Sequence, residues 1–278
     1  MTNLADQGFL DLGAMRLEYR MIGPRPDAAP VIVMLHEGLG CVGLWGDFPD
    51  RLAAVTGAGV FAYSRAGYGR SSPVNLPRPI TFMEDEARDV LPRLLASIGF
   101  RRGLLLGHSD GASIAAIHAG SVQDHRVRGL VLIAPHFLTE EMGIAEIARA
   151  RAAFAATDLR AKLARWHDDV DIAFKGWSDA WLDPDFRNWN ITDALAYIRV
   201  PILIVQGERD QYGTARHIEV AQQECTRPVD VALLPGIGHA PHREAPAATL
   251  RAVSDFANRL LRDHHEADLT APARVALD

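Results

Sequence analysis

An α/β fold, with a mostly parallel central sheet flanked by helices and an inserted helical cap, is predicted by three features of this 278-residue sequence. Short apolar runs alternate with stretches of helical periodicity, the pattern of a parallel sheet covered on both faces. Several of those runs end in glycine-rich or acidic loops that carry a serine, an aspartate and a histidine. Between residues 137 and 190 the strand pattern stops and helical spacing replaces it.

Taken in chain order, the leading strands are residues 8–12 and 16–22, the second alternating as a half-buried hairpin partner does. Residues 31–35 and 59–64 are short apolar runs of core-strand type. Thr81-Phe82-Met83-Glu84 has capping-box spacing. Val90, Leu91, Leu94, Leu95 and Ile98 then form one helical face, which Pro92 should kink slightly. A buried strand begins at Leu104 and breaks at Gly107-His108-Ser109-Asp110-Gly111, and a helix follows from Ala112 to Ala119. Residues 127–135 are the next strand. Ile144, Ile147 and Phe154, then Leu159, Leu163, Trp166 and Val170, recur at helical spacing, with Trp177, Trp181 and Trp189 after them. This stretch, 137–190, is read as a cap over the strand ends, inserted in a core of residues 1–136 and 191–264. Residues 201–206 and 229–234 are the last strands. Leu250, Val253, Phe256, Leu260 and Leu261 mark a final amphipathic helix, whose pattern is lost from Arg262, so 265–278 is read as a flexible tail.

The chemistry sits at the strand ends. An apolar strand that turns through Gly-x-Ser-x-Gly into a helix is a nucleophile elbow, a sharp turn that lifts one serine hydroxyl out of the sheet. Ser109 is therefore the candidate nucleophile. A base and an orienting acid are expected later in the chain, in the order acid then histidine. Asp210 follows the strand 201–206, and His239 follows 229–234 on a glycine-rich loop. All three leave strand ends, so they converge on one edge of a parallel sheet. Glu208 competes with Asp210, and His242 with His239, but neither fits the loop position as well. The oxyanion hole is assigned to two backbone N–H groups, that of Asp110 after the nucleophile and that of Gly38 in the His36-Glu37-Gly38-Leu39-Gly40 loop. His36 is read as a residue that fixes this loop.

Six side chains are candidates for substrate contact: Asp110, Glu37, Phe137, Trp177, Trp181 and Tyr212. Asp110 has two readings, a carboxylate able to pair with a substrate ammonium, or an acid favoured by the macrodipole in a first helical turn. Glu37 either holds its loop or adds negative potential to the pocket. The tryptophans suit a mostly apolar acyl or aryl pocket.

These motifs, together with Gly67-Tyr68-Gly69-Arg70-Ser71, resemble the α/β-hydrolase superfamily and within it the serine esterases with a helical cap. The resemblance runs from about Phe9 to Leu261 in family order. It implies the α/β-hydrolase fold and a Ser109–His239–Asp210 triad. Gly-x-Ser-Asp-Gly with Gly-Tyr-Gly-x-Ser looks most like the valacyclovir hydrolase branch of amino-acid-ester esterases. Three departures stand out. The family's usual His-Gly is His36-Glu37; its common Asp-x-Arg-Gly is Ser64-Arg65-Ala66-Gly67; and Ala240 stands where relatives that cleave carbon–carbon bonds usually carry Trp.

Composition narrows the class. A net charge of −6 without a basic stripe argues against nucleic acid. Cys41 and Cys225 are far apart and lack metal-ligand spacing, so neither a disulfide framework nor a metal site is expected. No apolar run approaches membrane-spanning length and no secretory leader is visible, so a cytoplasmic protein without membrane contact is expected. The expected activity is hydrolysis of a small carboxylic ester, with no metal or organic cofactor. The alternatives are an amino-acid ester or amide hydrolase, a carbon–carbon bond hydrolase of ring-fission products using Arg65 or Arg209 to meet an acidic substrate, and a slow-turnover ligand-binding protein on a hydrolase fold.

Overall fold

The computed structural model describes residues 4–270. Eight strands form one sheet: β1 (Gln7–Leu12), β2 (Met15–Ile22), β3 (Val31–Leu35), β4 (Gly59–Tyr63), β5 (Gly103–His108), β6 (Val127–Ile133), β7 (Ile202–Gly207) and β8 (Val229–Leu234). Their spatial order is β1-β2-β4-β3-β5-β6-β7-β8. β2 is antiparallel to both β1 and β4, and every later pairing is parallel.

β3, β4, β5 and β7 are buried at every position because both faces of the sheet are covered. Strand period then divides their side chains between two cores. Val33, Leu35, Phe61, Leu105, Leu132 and Ile204 face one side, packed with the helix Asp110–Ser121 and the helical insertion. Ile32, Met34, Val60, Leu106, Ile133 and Val205 face the other, against α1 (Phe48–Thr56) and the last helix, Pro246–Thr270. Asp110 through Gly120 are all buried, so the helix Asp110–Ser121 is a core helix with no wet face.

Some local expectations are corrected. Thr81 sits at φ −82°, ψ 10° and makes no capping bond to the backbone; its hydroxyl donates to Asp85. Glu84 instead accepts from Trp189 Nε1 at 3.0 Å, so the capping box is replaced by a tertiary contact. The helix through Pro92 is interrupted by a π-helical turn at Glu86–Val90, and Pro92 lies in the first turn of the helix Leu91–Ser97, where its missing N–H costs least. The last helix continues past Arg262 to Thr270 although the apolar stripe ends, because backbone hydrogen bonding does not need a buried face. Of the expected flexible tail, residues 271–278 lie outside the described residues.

The insertion consists of the helices Glu141–Ala156, Leu159–Leu163 and Val170–Trp181 and a 3₁₀ turn at Pro184–Asn188. Its two ends are pinned together: Ile191 N–H donates to Phe137 O at 2.8 Å and Thr139 N–H to Trp189 O at 3.1 Å. It reaches the residues that follow two of the parallel strands: Trp181 Nε1 donates to Asp110, after β5, and His167 accepts from Gly69 N–H, after β4. Trp166, read as part of the apolar face, falls between helices and is 44% exposed, with its ring edge over Gly43. Among the described residues no helix is long and apolar enough to cross a membrane.

Candidate active site

Ser109 occupies the turn between β5 and the helix Asp110–Ser121 at φ 53°, a conformation that L residues rarely adopt. The two glycines of the motif make this turn possible. A Cβ at Gly107 would overlap the Gly111 carbonyl, and one at Gly111 would overlap the Leu35 carbonyl at the end of β3. The strained turn is thereby wedged against the neighbouring strand, with the Ser109 N–H bonded to Ile133 O at 2.9 Å.

Ser109 Oγ lies 2.9 Å from His239 Nε2, and His239 Nδ1 lies 2.8 Å from each Asp210 carboxylate oxygen. Asp210 also accepts from Tyr212 N–H at 2.8 Å and from Gln206 Nε2 at 2.8 Å. Burial alone would raise its carboxyl. The bond to His239, the charge of that imidazole and the Tyr212 N–H outweigh burial and hold it at about 2. An ionised Asp210 fixes the His239 tautomer: Nδ1–H donates to the acid, and Nε2 presents a lone pair to the Ser109 hydroxyl. The competing residues lie elsewhere. Glu208 is exposed and accepts from Gly236 N–H, and His242 is buried against Trp45 and His108.

The loop after β3 carries the Gly38 N–H to the same place. Among the described residues neither this N–H nor that of Asp110 donates to a protein acceptor. His36 fixes the loop from below: its Nε2 accepts from Arg65 N–H at 3.0 Å and its Nδ1–H donates to Glu37 O at 2.6 Å. Arg65 is fully buried and donates to His36 O at 2.6 Å and Glu37 O at 3.2 Å. The insertion holds the loop from above, where His167 Nδ1 accepts from Gly69 N–H and Nε2–H donates to Leu39 O. The Glu37 carboxylate lies 3.4 Å from His108 Nδ1, and His108 Nε2–H donates to His239 O at 2.8 Å. Burial works to raise the Glu37 carboxyl, but the His108, His242 and His36 imidazoles hold it far below the ordinary carboxylate range.

A cavity of about 160 Å³ opens above Ser109, lined by the Gly38 loop, His136, Glu140, Gly143, Ile147, Trp177, Trp181 and Tyr212. Among the described residues no lysine or arginine lines it, whereas Glu37, Asp110 and Glu140 do. Asp110 is 1% exposed; its Oδ1 accepts from Trp181 Nε1 at 3.2 Å and its Oδ2 lies 3.9 Å from Arg65. Burial raises this carboxyl against the pull of Arg65 and Trp181. Arg65 therefore forms an acidic–basic pair after all, with the elbow residue rather than within its own loop. Among the described residues no group of three or more metal-ligating side chains is gathered to hold an ion.

The model of the alpha/beta hydrolase family matches residues 32–252. The chain belongs to that family. This hydrolase-family chain is 35% identical over 104 residues to the (lyso)-N-acylphosphatidylethanolamine lipase of Bos taurus, covering 37% of the chain and 30% of the lipase. It is 25% identical over 126 residues to the proline iminopeptidase of Lactobacillus acidophilus, covering 45% of the chain and 42% of that enzyme. The matches thus span less than half the length of these curated relatives. Among solved structures, the 2-hydroxy-6-oxo-6-phenylhexa-2,4-dienoate hydrolase from Rhodococcus sp. superposes with a TM-score of 0.77 at 16% identity, covering 90% of this chain and 97% of that one. The enol-lactonase from Burkholderia xenovorans gives a TM-score of 0.70 at 22% identity, covering 90% and 99%. At these identities the likeness is one of fold.

Of the six side chains expected at the substrate, five line the cavity of this alpha/beta hydrolase: Glu37, Asp110, Trp177, Trp181 and Tyr212. Phe137 does not. It is fully buried and packs edge-on against His217, while His136 lines the cavity; the chain leaves β6 through Ala134 at φ 47°, so no strand alternation carries over to these two residues. Sequence reasoning missed His136, although it follows a strand end as Asp210 and His239 do. It also missed Glu140, Gly143 and Ile147, whose positions depend on how the insertion folds back. Trp189 is packed against Trp181 and Phe186, away from the cavity. Arg65 points at backbone carbonyls and Arg209 is exposed, so neither supplies the pocket with a cation.

Proposed function

We propose that this protein is a serine hydrolase that cleaves a small, uncharged carboxylic ester through an acyl-Ser109 intermediate. The observation that carries this reading is the unbroken hydrogen-bonded chain Ser109–His239–Asp210 beneath a cavity walled by Trp177, Trp181 and Tyr212. Ser109 Oγ attacks the carbonyl carbon as His239 Nε2 takes the hydroxyl proton, and the Gly38 and Asp110 N–H groups hold the tetrahedral oxyanion. His239 then gives the proton to the departing alcohol, which leaves acyl-Ser109. A water that loses its proton to His239 attacks the acyl carbon, and release of the acid returns the proton to Ser109.

Cavity size and charge set the substrate. A volume of about 160 Å³ is that of a site for one benzene-sized group. Among the described residues carboxylates line it without any lysine or arginine, which disfavours an anionic acyl group and gives the carbon–carbon reading no partner there for its acidic substrate. The same carboxylates favour a second reading, an aminoacyl ester or amide, and the partial relatives named a lipase and an iminopeptidase act within that range of acyl chemistry.

The test is steady-state hydrolysis of 4-nitrophenyl acetate, benzoate, glycinate and hemisuccinate. Multiple turnover is expected for acetate and benzoate, with hemisuccinate at least about tenfold poorer in kcat/KM. A glycinate preference over acetate would select the aminoacyl reading. One equivalent of nitrophenol followed by arrest would instead favour the slow-turnover ligand-binding protein.

Gly38 provides a second check. A Cβ there would overlap the Trp177 ring, so Gly38→Ala forces the loop or the tryptophan to move and withdraws the N–H. We expect kcat on 4-nitrophenyl acetate to fall roughly a hundred- to a thousandfold, the usual cost of one oxyanion donor, with the circular dichroism spectrum unchanged. An unaltered kcat would remove Gly38 from the oxyanion hole.

A further inference from the structure

His136 follows β6 and faces the cavity, and its ring centroid lies 5.6 Å from that of His239. Two neighbours set its plane edge-on, His217 at 5.3 Å and Trp181 at 5.4 Å. His217 is itself held, since its Nδ1 accepts from Phe137 N–H and its Nε2 lies 3.0 Å from Glu140 Oε2. Glu140 is anchored in turn by the Thr214 N–H at 2.8 Å and the Thr214 hydroxyl at 2.7 Å. The orientation of His136 is therefore set by Trp181 and by His217, which Glu140 and Thr214 hold in turn.

Its own imidazole is treated differently. Among the described residues no protein group hydrogen-bonds to either ring nitrogen, and neither nitrogen belongs to the fully enclosed, unpartnered polar atoms of the interior. His136 is 6% exposed and lines the cavity. An oriented ring with two unused nitrogens beside the reacting groups is a recognition element awaiting a polar partner. Asp210 already satisfies His239, so His136 is not needed for the hydrogen-bonded chain.

We propose that His136 is a specificity-determining residue that hydrogen-bonds a hydroxyl or carbonyl oxygen carried by the substrate close to its scissile ester. Burial, and after it the neighbouring His217 and His239, push this imidazole well below its ordinary value. It therefore offers one donor and one acceptor rather than a charge. The preferred substrates are uncharged esters with an oxygen function near the cleaved bond, such as hydroxy- or ketoacyl esters, rather than plain alkyl esters. This rests on the serine-hydrolase reading above and narrows its substrate class.

The experiment compares kcat/KM for two matched pairs, 4-nitrophenyl glycolate against propionate, and 2-hydroxyethyl against propyl propionate. The members of each pair are nearly the same size and differ by a hydroxyl in place of a methyl. In His136→Phe, which keeps an aromatic ring against Trp181 and His217, the hydroxyl-to-methyl ratio should fall about tenfold or more from wild type for at least one pair. His136→Leu removes the nitrogens with another shape and should give the same change if the Phe variant does not fold. Ratios equal to wild type for both pairs in a folded variant would overturn the proposal, and so would equal losses on both members, the mark of a packing residue. Wild-type protein inert toward all four esters would instead sink the hydrolase reading, and this inference with it.

Discussion

Ser109→Ala is expected to lower ester turnover by roughly a millionfold, the loss found when a serine nucleophile that acts as a unit with its base is removed. The change takes away one oxygen at a residue that is 7% exposed. It leaves the wedged turn in place, because Gly107 and Gly111 rather than the hydroxyl make that turn possible. Among the described residues the Ser109 hydroxyl bonds to His239 Nε2 alone, and Asp210 holds that imidazole independently. Thermal stability should therefore stay near wild type while kcat collapses. The check is single-turnover and steady-state kinetics on 4-nitrophenyl acetate beside a melting curve. Residual turnover above about a thousandth of wild type would remove Ser109 from the nucleophile role.

The second large effect is on stability in acid. Five buried imidazoles, His36, His118, His136, His167 and His242, are pushed below their ordinary value, chiefly by burial, and His242 falls to about 3. Protonation would also break specific bonds. His36 Nε2 accepts from Arg65 N–H, His167 Nδ1 accepts from Gly69 N–H, and His118 Nε2 has no partner to receive a proton's hydrogen bond. The unfolded chain has free imidazoles that titrate near 6.5. Below that pH the unfolded state binds more protons than the folded state, so stability present above about 6.5 is lost as pH falls. Each imidazole kept neutral contributes up to about 1.4 kcal/mol per pH unit to that slope.

Two groups oppose it. Burial raises Glu86 and Asp110, which take up protons in the folded state before they do in the unfolded one. Two raised carboxyls against five lowered imidazoles leave the slope in the direction of acid unfolding. Below about 4 the opposing gain ends, and Asp210 and Glu140, both held at about 2, add to the loss. Urea denaturation at pH 7.5, 6.5, 5.5 and 5.0 should therefore show a midpoint that is steady above 6.5 and drops at each lower step. A midpoint that does not change down to pH 5.0 would show that these imidazoles are not held neutral.

The sheet was readable from sequence because a strand covered on both faces needs unbroken apolar residues, and Val31–Leu35 and Ile202–Gln206 have little else. The strand-end residues Ser109, Asp210 and His239 were readable for a related reason. A parallel sheet sends all its C-terminal ends to one edge, so three motifs far apart in the chain must meet. The insertion resisted the same logic. Its residues reach the cavity through tertiary packing, so helical spacing identified Ile147 as apolar without saying that it faces Ser109. The same spacing placed Trp166 on a buried face that it does not share. Charge was the least legible. The pairing of Arg65 with the elbow carboxylate Asp110 joins loops 45 residues apart, and the closure of Glu37 over His108 joins two others. No local pattern encodes either contact.

The central claim is that Ser109 is an activated nucleophile, and the most direct measurement is intact mass after treatment with a small fluorophosphonate, on wild type and Ser109→Ala in parallel. An activated serine attacks phosphorus and expels fluoride, and the phosphonyl group stays on the protein. The account predicts one adduct on wild type, lost in Ser109→Ala, with the modified peptide containing Ser109. Folded wild-type protein that remains unmodified, or an adduct that persists in Ser109→Ala, would contradict it.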